Sequence, residues 1–260
     1  MEVLDENLNI DAYFDLLKAT DHRLLMLDYD GTLAPFVTDR DQAVPYPGVR
    51  RLLDEIVNQS PTRVVIISGR SVSVLMRLLA TENPPELWGS HGFERRLPNG
   101  QVVTSELSDR SRAVLDDVAT WAEDNVPASG REPKPAGYAF HWRGLDNEAA
   151  SDLRRKVEDR WRETLSNHGL ELHEFDGGLE VRVADINKGK AVRALMAECP
   201  SGCVMAYLGD DQTDEDAFAA LQDADQHTLS VLVRAELRPT LADLWLRPPQ
   251  ELLSFVARWL

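Results

Sequence analysis

Leu24-Leu25-Met26-Leu27-Asp28-Tyr29-Asp30-Gly31-Thr32-Leu33 is an apolar run that ends abruptly in two aspartates and a glycine. A run of this length, bounded by a turn signal, fits a strand buried in a parallel sheet, with Asp28 at its carboxyl end. In open α/β sheets the reactive groups gather in the crevice beyond the carboxyl ends of the strands, where a carboxylate meets substrate without being buried unpaired. Asp28 and Asp30 stand two apart and lean to one side in extended backbone, while Gly31 lets the chain turn and frees backbone N–H groups for an anion. One carboxylate can then attack a phosphorus atom while the other carries a proton. Taken alone, the plainer account is a strand closed by an Asp-Gly turn.

Three further stretches end that isolation. Val64-Val65-Ile66-Ile67-Ser68-Gly69-Arg70 sets a hydroxyl at the end of a second apolar strand, and Asn187-Lys188-Gly189-Lys190-Ala191 opens a helix with a lysine. Tyr207-Leu208-Gly209-Asp210-Asp211-Gln212-Thr213-Asp214-Glu215-Asp216 follows another strand with an acidic cluster. With the Asp28 stretch they resemble, in order, the four motifs of the haloacid dehalogenase superfamily of phosphohydrolases. The resemblance implies a Rossmann-like α/β core with a parallel sheet, Asp28 as a nucleophile forming an aspartyl-phosphate, and Asp30 as the acid and base. It implies that Ser68, Gly69 and Lys188 bind the phosphate, and that Asp28, Asp30 through its carbonyl, and Asp210 hold Mg2+. Asp214, one helical turn beyond Asp210, joins the metal set as an outer ligand through water; Asp211 receives no role. Carboxylates converging so closely repel one another, so electrostatics also demands a cation.

The 260 residues suffice for one large domain or for a core with a smaller insertion. With 28 basic against 44 acidic residues the net charge is −16, which argues against a nucleic-acid-binding surface. Met1 to Asn7 lacks the basic and apolar regions of a secretory signal, and no apolar stretch approaches membrane-spanning length, so a cytoplasmic protein is expected. Cys199 and Cys203 cannot fill a zinc site by themselves; they read as free thiols, with a local disulfide as the alternative.

Along the chain, helices are expected over Asp11–Ala19, with Asp11 as cap, over Gly48–Asn58 and over Ser71–Leu79, with a strand at Val64–Ile67 and a short strand ending in a turn over Leu87–Gly92. This β-α-β alternation stops at the Asn99-Gly100 hairpin signal. A block over 107–183 follows with an α+β pattern: helices at Ser108–Asn125 and Asn147–Asn167, a breaker from Pro127 to Pro135, and strands at Tyr138–Arg143, Leu170–Phe175 and Leu179–Val183. It reads as an inserted α+β cap domain between core segments 1–106 and 184–260. The second core segment carries a helix at Lys188–Glu198, a strand at Val204–Leu208, a helix at Asp214–Leu221, a strand at Thr228–Val233 and a closing helix.

Within the superfamily the chain resembles the trehalose-6-phosphate phosphatases. The matching residues are Gly89-Ser90-His91-Gly92-Phe93-Glu94-Arg95-Arg96, Glu132-Pro133-Lys134, His141-Trp142-Arg143, Glu180 with Arg182, and the acidic signature from Gly209 to Glu215. Pro133, Val183 and Asp185 depart from the family pattern. The resemblance implies sugar-phosphate recognition by His91, Gly92, Glu94, Arg96, Glu132, Lys134, His141, Arg143, Glu180 and Arg182, because a disaccharide offers many hydroxyls to carboxylates. Trp142 reads as packing rather than sugar stacking. The implied protein is a monomeric, magnesium-dependent phosphatase paired in function with a trehalose-6-phosphate synthase. The alternatives are a phosphatase of a related osmolyte ester, such as glucosyl- or mannosyl-3-phosphoglycerate or glucosylglycerol phosphate, and a catalytically silent sugar-phosphate binder.

Overall fold

The apolar run before Asp28 forms a strand over Arg23–Leu27 in which Leu24 to Leu27 are all buried. Every second residue faces one side of the sheet, so burial of all four requires helices on both faces. The computed structural model describes residues 1–37, 39–142, 144–175, 177–224 and 227–260. The chain separates into two compact units, one formed by Met1–Val103 with Asn187–Leu260 and the other by Thr104–Ile186.

The first part of unit one runs β1 (Glu2–Val3), α1 (Ile10–Ala19), β2 (Arg23–Leu27), α2 (Val49–Gln59), β3 (Thr62–Ile67), α3 (Val72–Leu79), β4 (Glu86–Gly89), β5 (Glu94–Arg96) and β6 (Val102–Thr104). Unit two holds α4 (Asp109–Asn125), β7 (Arg131–Lys134), β8 (Gly137–His141), α5 (Asn147–Ser166), β9 (Leu170–Phe175) and β10 (Gly178–Val183). Unit one resumes with α6 (Lys188–Ala197), β11 (Val204–Gly209), α7 (Glu215–Gln222), β12 (His227–Val233), β13 (Leu244–Leu246) and α8 (Gln250–Val256).

The sheet of unit one has the order β1-β13-β12-β11-β2-β3-β4-β5-β6. Its centre, from β13 to β4, is parallel, while β1 and β5 pair antiparallel to their neighbours. Alternate residues divide between two cores. Leu25, Leu27, Val64, Ile66, Ala206 and Leu208 pack with α1, α2, α3 and α8. Leu24, Met26, Val65, Ile67, Met205 and Tyr207 pack with α6 and α7.

Local signals differ from expectation at three places. The cap of α1 is Asn9, whose side chain accepts from the Ala12 N–H at 3.0 Å, and Asp11 lies in the first turn, where its charge suits the helix dipole. The Pro127–Pro135 breaker contains strand β7, with Pro133 opposite Tyr138. β7 is an edge strand, so a missing N–H costs no ladder bond on its open side. The joints between units fall at Val103/Thr104 and Ile186/Asn187 instead of 106/107 and 183/184. After Val183 the chain stays tied to unit two through Ala184 N–H to Gly169 O at 3.0 Å and Ile186 N–H to Val183 O at 3.1 Å.

Unit two is a four-stranded antiparallel sheet of order β7-β8-β10-β9 with its own core. Tyr138, Phe140, Leu179, Val181 and Leu170 on one face meet Val114 and Val118 of α4 and Val157 and Trp161 of α5. Trp142 packs against the same core. Asp176, in the expected β9–β10 turn, lies outside the described residues.

Candidate active site

Three neighbouring parallel strands, β11, β2 and β3, end side by side, and the residue beyond each end is polar: Asp210, Asp28 and Ser68. The Asp28 N–H donates to Leu208 O at 2.8 Å, carrying the ladder one residue past β2. Asp28, Ser68, Asp210, Asp214 and Lys188 are buried. Beyond Asp28 the chain folds back through Gly31 N–H to Ala34 O at 2.7 Å, and the Tyr29 hydroxyl ties the loop to Ala43 O at 2.7 Å. Gly31 sits at φ +83°, and a Cβ there would lie 2.2 Å from Asp210 Oδ2, so this close approach of backbone to carboxylate requires glycine.

Lys188, the first residue of α6, reaches Asp28 Oδ1 and Asp214 Oδ1, both at 2.7 Å. Asp214 is saturated within the protein. Its Oδ1 also accepts the Tyr207 hydroxyl at 2.6 Å, and its Oδ2 accepts the N–H groups of Asp210 at 2.9 Å and Asp211 at 3.0 Å. Asp211 caps the short 3-10 turn Gln212–Asp214, accepting from the Thr213 N–H at 2.8 Å and its hydroxyl at 2.6 Å. Asp210 differs from both: its Oδ1 is buried with no hydrogen-bond partner among the described residues.

Asp28, Asp210 and Asp214 each bring a carboxylate oxygen to within 4.8 Å of the others. Burial, then the charges of Asp28, Asp214 and Asp211, push Asp210 up to about 10. Burial also drives Asp28 upward against the pull of Lys188. The unpartnered Asp210 oxygen beside an all-oxygen set is what a hard divalent cation such as magnesium requires, and the donors fit it. A carboxyl raised in the fold binds more protons folded than unfolded between the two pKa values, so its stabilising contribution is complete below about pH 4 and lost as pH rises toward 10. In chelator, the melting temperature is therefore expected to fall between about pH 5 and about pH 8, and magnesium to flatten that slope. A flat profile in chelator would mean that the cluster carries no such strain.

Asp30 is held away from this cluster. Arg70, directly after Ser68-Gly69, clasps both its oxygens, Nε to Oδ2 and Nη2 to Oδ1, each at 2.7 Å. Gly69 lies beneath the His91 ring, where a Cβ would come within 2.7 Å. The His91 N–H donates to Ser68 O at 2.9 Å, and Ser90 and His91 both adopt left-handed backbone, φ +51° and +57°. Such conformations in non-glycine residues concentrate at functional loops.

A family model described as trehalose-phosphatase matches residues 26–247. The chain belongs to the trehalose-phosphatase family. A bifunctional trehalose-6-phosphate synthase/phosphatase of Thermoproteus tenax is 33% identical over 218 residues, covering 82% of this chain and 29% of the relative. The first three curated relatives are longer proteins, of which the chain spans 29–30%. A solved trehalose-6-phosphate phosphatase of Aspergillus fumigatus is 28% identical with a TM-score of 0.70, covering 97% of each chain. A haloacid dehalogenase-like hydrolase of Bacteroides thetaiotaomicron shares the fold at 16% identity, with a TM-score of 0.68 over 92% of this chain and all of that one.

Those of the residues expected to recognise sugar that are described in unit two share one face of its sheet. Opposite the helix-covered face, register aligns Glu132, Ala139, Glu180 and His173, and beside them Lys134, Gly137, Arg182 and Glu171. Lys134 Nζ meets Glu180 Oε2 at 2.7 Å, His141 Nε2 lies 2.7 Å from Glu132 Oε2, and Arg182 Nε donates to Glu171 Oε1 at 2.8 Å. Glu180 is only 4% exposed, so Lys134 is the counter-charge that makes its burial tolerable. Arg143 lies outside the described residues.

In unit one Glu94 serves the loop, accepting from the Val72 N–H at 3.1 Å and the Ser90 hydroxyl at 2.9 Å. Gly92, at φ +110°, lies close to Ala191 of α6, and Arg96 sits opposite Leu87, two residues back from the end of β4. Sequence reasoning missed Arg70 and Tyr207 as partners of the site. Arg70 stands in the quoted Ser-Gly-Arg stretch, which is the one signal that could have found it.

Proposed function

We propose that the chain hydrolyses trehalose 6-phosphate to trehalose and phosphate, with magnesium, through an aspartyl-phosphate on Asp28. The carrying observation is the convergence of Asp28, Lys188 and Asp210 beyond β2 and β11 with a partnerless oxygen on Asp210. Asp28, Asp210 and the Asp30 carbonyl would hold the cation, which when bound neutralises charge on the phosphoryl oxygens. Lys188 and the Ser68 hydroxyl, with the backbone at Gly69, grip those oxygens.

Asp28 attacks phosphorus, the bond from phosphorus to the sugar oxygen breaks, and Asp30 gives its proton to that oxygen. Water then attacks the phosphorus, the bond to Asp28 breaks, and Asp30 takes the proton of the water. Arg70 takes one acceptor site on each Asp30 oxygen and leaves the other for the proton. Asp214 acts by holding Lys188 and the Asp210 backbone, an indirect role consistent with its saturated oxygens. Unit two, in its role as cap, supplies sugar recognition through Glu132, Lys134, His141, Glu180 and Arg182.

Phosphate release is the test, from trehalose 6-phosphate, glucose 6-phosphate, glucosyl-3-phosphoglycerate and glucosylglycerol phosphate, each with magnesium and with chelator. Selective, chelator-sensitive release from the first is expected. Preference for another ester would overturn the sugar assignment and leave the hydrolytic chemistry, and no release from any would overturn both. Glu132→Ala is expected to lower kcat/KM on trehalose 6-phosphate about 100-fold while changing a small aromatic phosphate ester less than about threefold. Equal losses on both would remove Glu132 from sugar recognition.

A further inference from the structure

The loop that carries Asp210 is gripped from two sides. From inside, Asp214 Oδ2 takes the N–H groups of Asp210 and Asp211 at 2.9 and 3.0 Å. From outside, a side chain 28 positions further along takes the two carbonyls: Arg238 Nε donates to Asp210 O at 3.2 Å and Arg238 Nη2 to Asp211 O at 2.7 Å. Arg234 Nη1 adds a longer bond to Asp210 O at 3.4 Å. Both residues are thus fixed at N–H and C=O alike, although no regular element contains them.

The fork of Arg238 is itself anchored. Its Nη1 meets Glu215 Oε1 at 2.5 Å and donates to Pro239 O at 2.7 Å. Glu215 also accepts the Thr240 hydroxyl at 2.9 Å and the Leu241 N–H at 2.8 Å. The segment between β12 and β13 is therefore strapped across the acidic loop, with Arg238 18% and Glu215 13% exposed at their side chains. A planar guanidinium with donors in a fixed fork can hold two successive carbonyls at once; a lysine ammonium is a point charge and cannot hold the same geometry. This arrangement matters because, among the described residues, the Asp210 carboxylate has no hydrogen bond at Oδ1, so its aim depends on the backbone beneath it.

We propose that Arg238, anchored by Glu215, is a positioning residue that fixes the Asp210–Asp211 backbone and so aims the Asp210 carboxylate at the cation. The proposal rests on the reading of Asp28 and Asp210 as cation ligands. Direct titration of the full chain with Mn2+, followed by the loss of the free-ion electron paramagnetic resonance signal, tests it without reference to any phosphate ester. Arg238→Ala and Arg238→Lys are both expected to weaken Mn2+ binding about tenfold or more, with kcat largely regained at saturating metal and KM for substrate little changed. Absence of Mn2+ binding by the parent chain would overturn the cation reading itself. Binding by the parent and equally by a folded Arg238→Ala would overturn the role of Arg238 alone. Full affinity in Arg238→Lys beside a weak Arg238→Ala would assign the effect to charge and overturn the positioning claim. Should Arg238→Ala not fold, Glu215→Gln takes its place, with weaker Mn2+ binding expected and unchanged affinity overturning the proposal.

Discussion

Asp28→Asn is expected to yield a folded protein that releases phosphate at least about 10,000 times more slowly than the parent chain. In the parent, Lys188 holds Asp28 Oδ1 at 2.7 Å, which sets the carboxylate plane. An asparagine in this place turns its carbonyl oxygen to the ammonium, because the amide NH2 would be repelled by it. The NH2 then occupies the position from which the second oxygen should attack, and it has no lone pair to offer phosphorus. The fold is not expected to suffer, since burial already pushes Asp28 toward its neutral form and the substitution removes one of several mutually repelling charges. In chelator the variant should melt at or above the temperature of the parent. Single-turnover phosphate release and a melting curve together decide the matter. A residual rate above about 1% of the parent would exclude Asp28 as the covalent nucleophile.

Lys188→Met should do damage of another kind. The ammonium lies between Asp28 and Asp214 at 2.7 Å from each, and these two carboxylates share a 4.8 Å cluster with Asp210. Its own charge is held firmly, since the pull of Asp214 and Asp28 outweighs the burial that opposes it. A methionine fills the volume and leaves buried carboxylates without their counter-charge, an imbalance that costs about 3–5 kcal/mol when one partner of a buried pair is removed. The phosphate also loses its cationic donor, so kcat/KM should fall at least about 1,000-fold. Acidification or added magnesium should restore much of the lost melting temperature, because each neutralises the carboxylates, while neither restores turnover. Recovery of both stability and turnover on adding magnesium would show that Lys188 only balances charge and does not bind the phosphate.

Much of the fold was legible in the chain itself. β2, β3 and β11 hold continuous apolar runs, α2 and α5 carry apolar stripes at helical spacing, and Asn187 and Ser108 cap their helices within the same few residues. Less was legible where a residue has a local meaning that tertiary context replaces. Pro133 breaks a helix and would break a central strand, yet β7 is an edge. Asp11 stands where a cap could be, but Asn9 had the geometry.

The acidic motif shows the same division at the site. Sequence by itself determined that carboxylates gather beyond the strand ends, because apolar runs, glycine turns and acidic clusters are written in neighbouring residues. It could not rank Asp210, Asp211 and Asp214, which look alike in a row. Tertiary structure decided that Asp214 is saturated, that Asp211 caps a turn and that Asp210 keeps an open oxygen. It also decided that Arg70 clasps Asp30 from 40 residues away and that Arg238 grips the Asp210 loop from 28. The physical reason is that a carboxylate is defined by whichever donors surround it, and those donors come from chain segments whose separation leaves no periodicity to read.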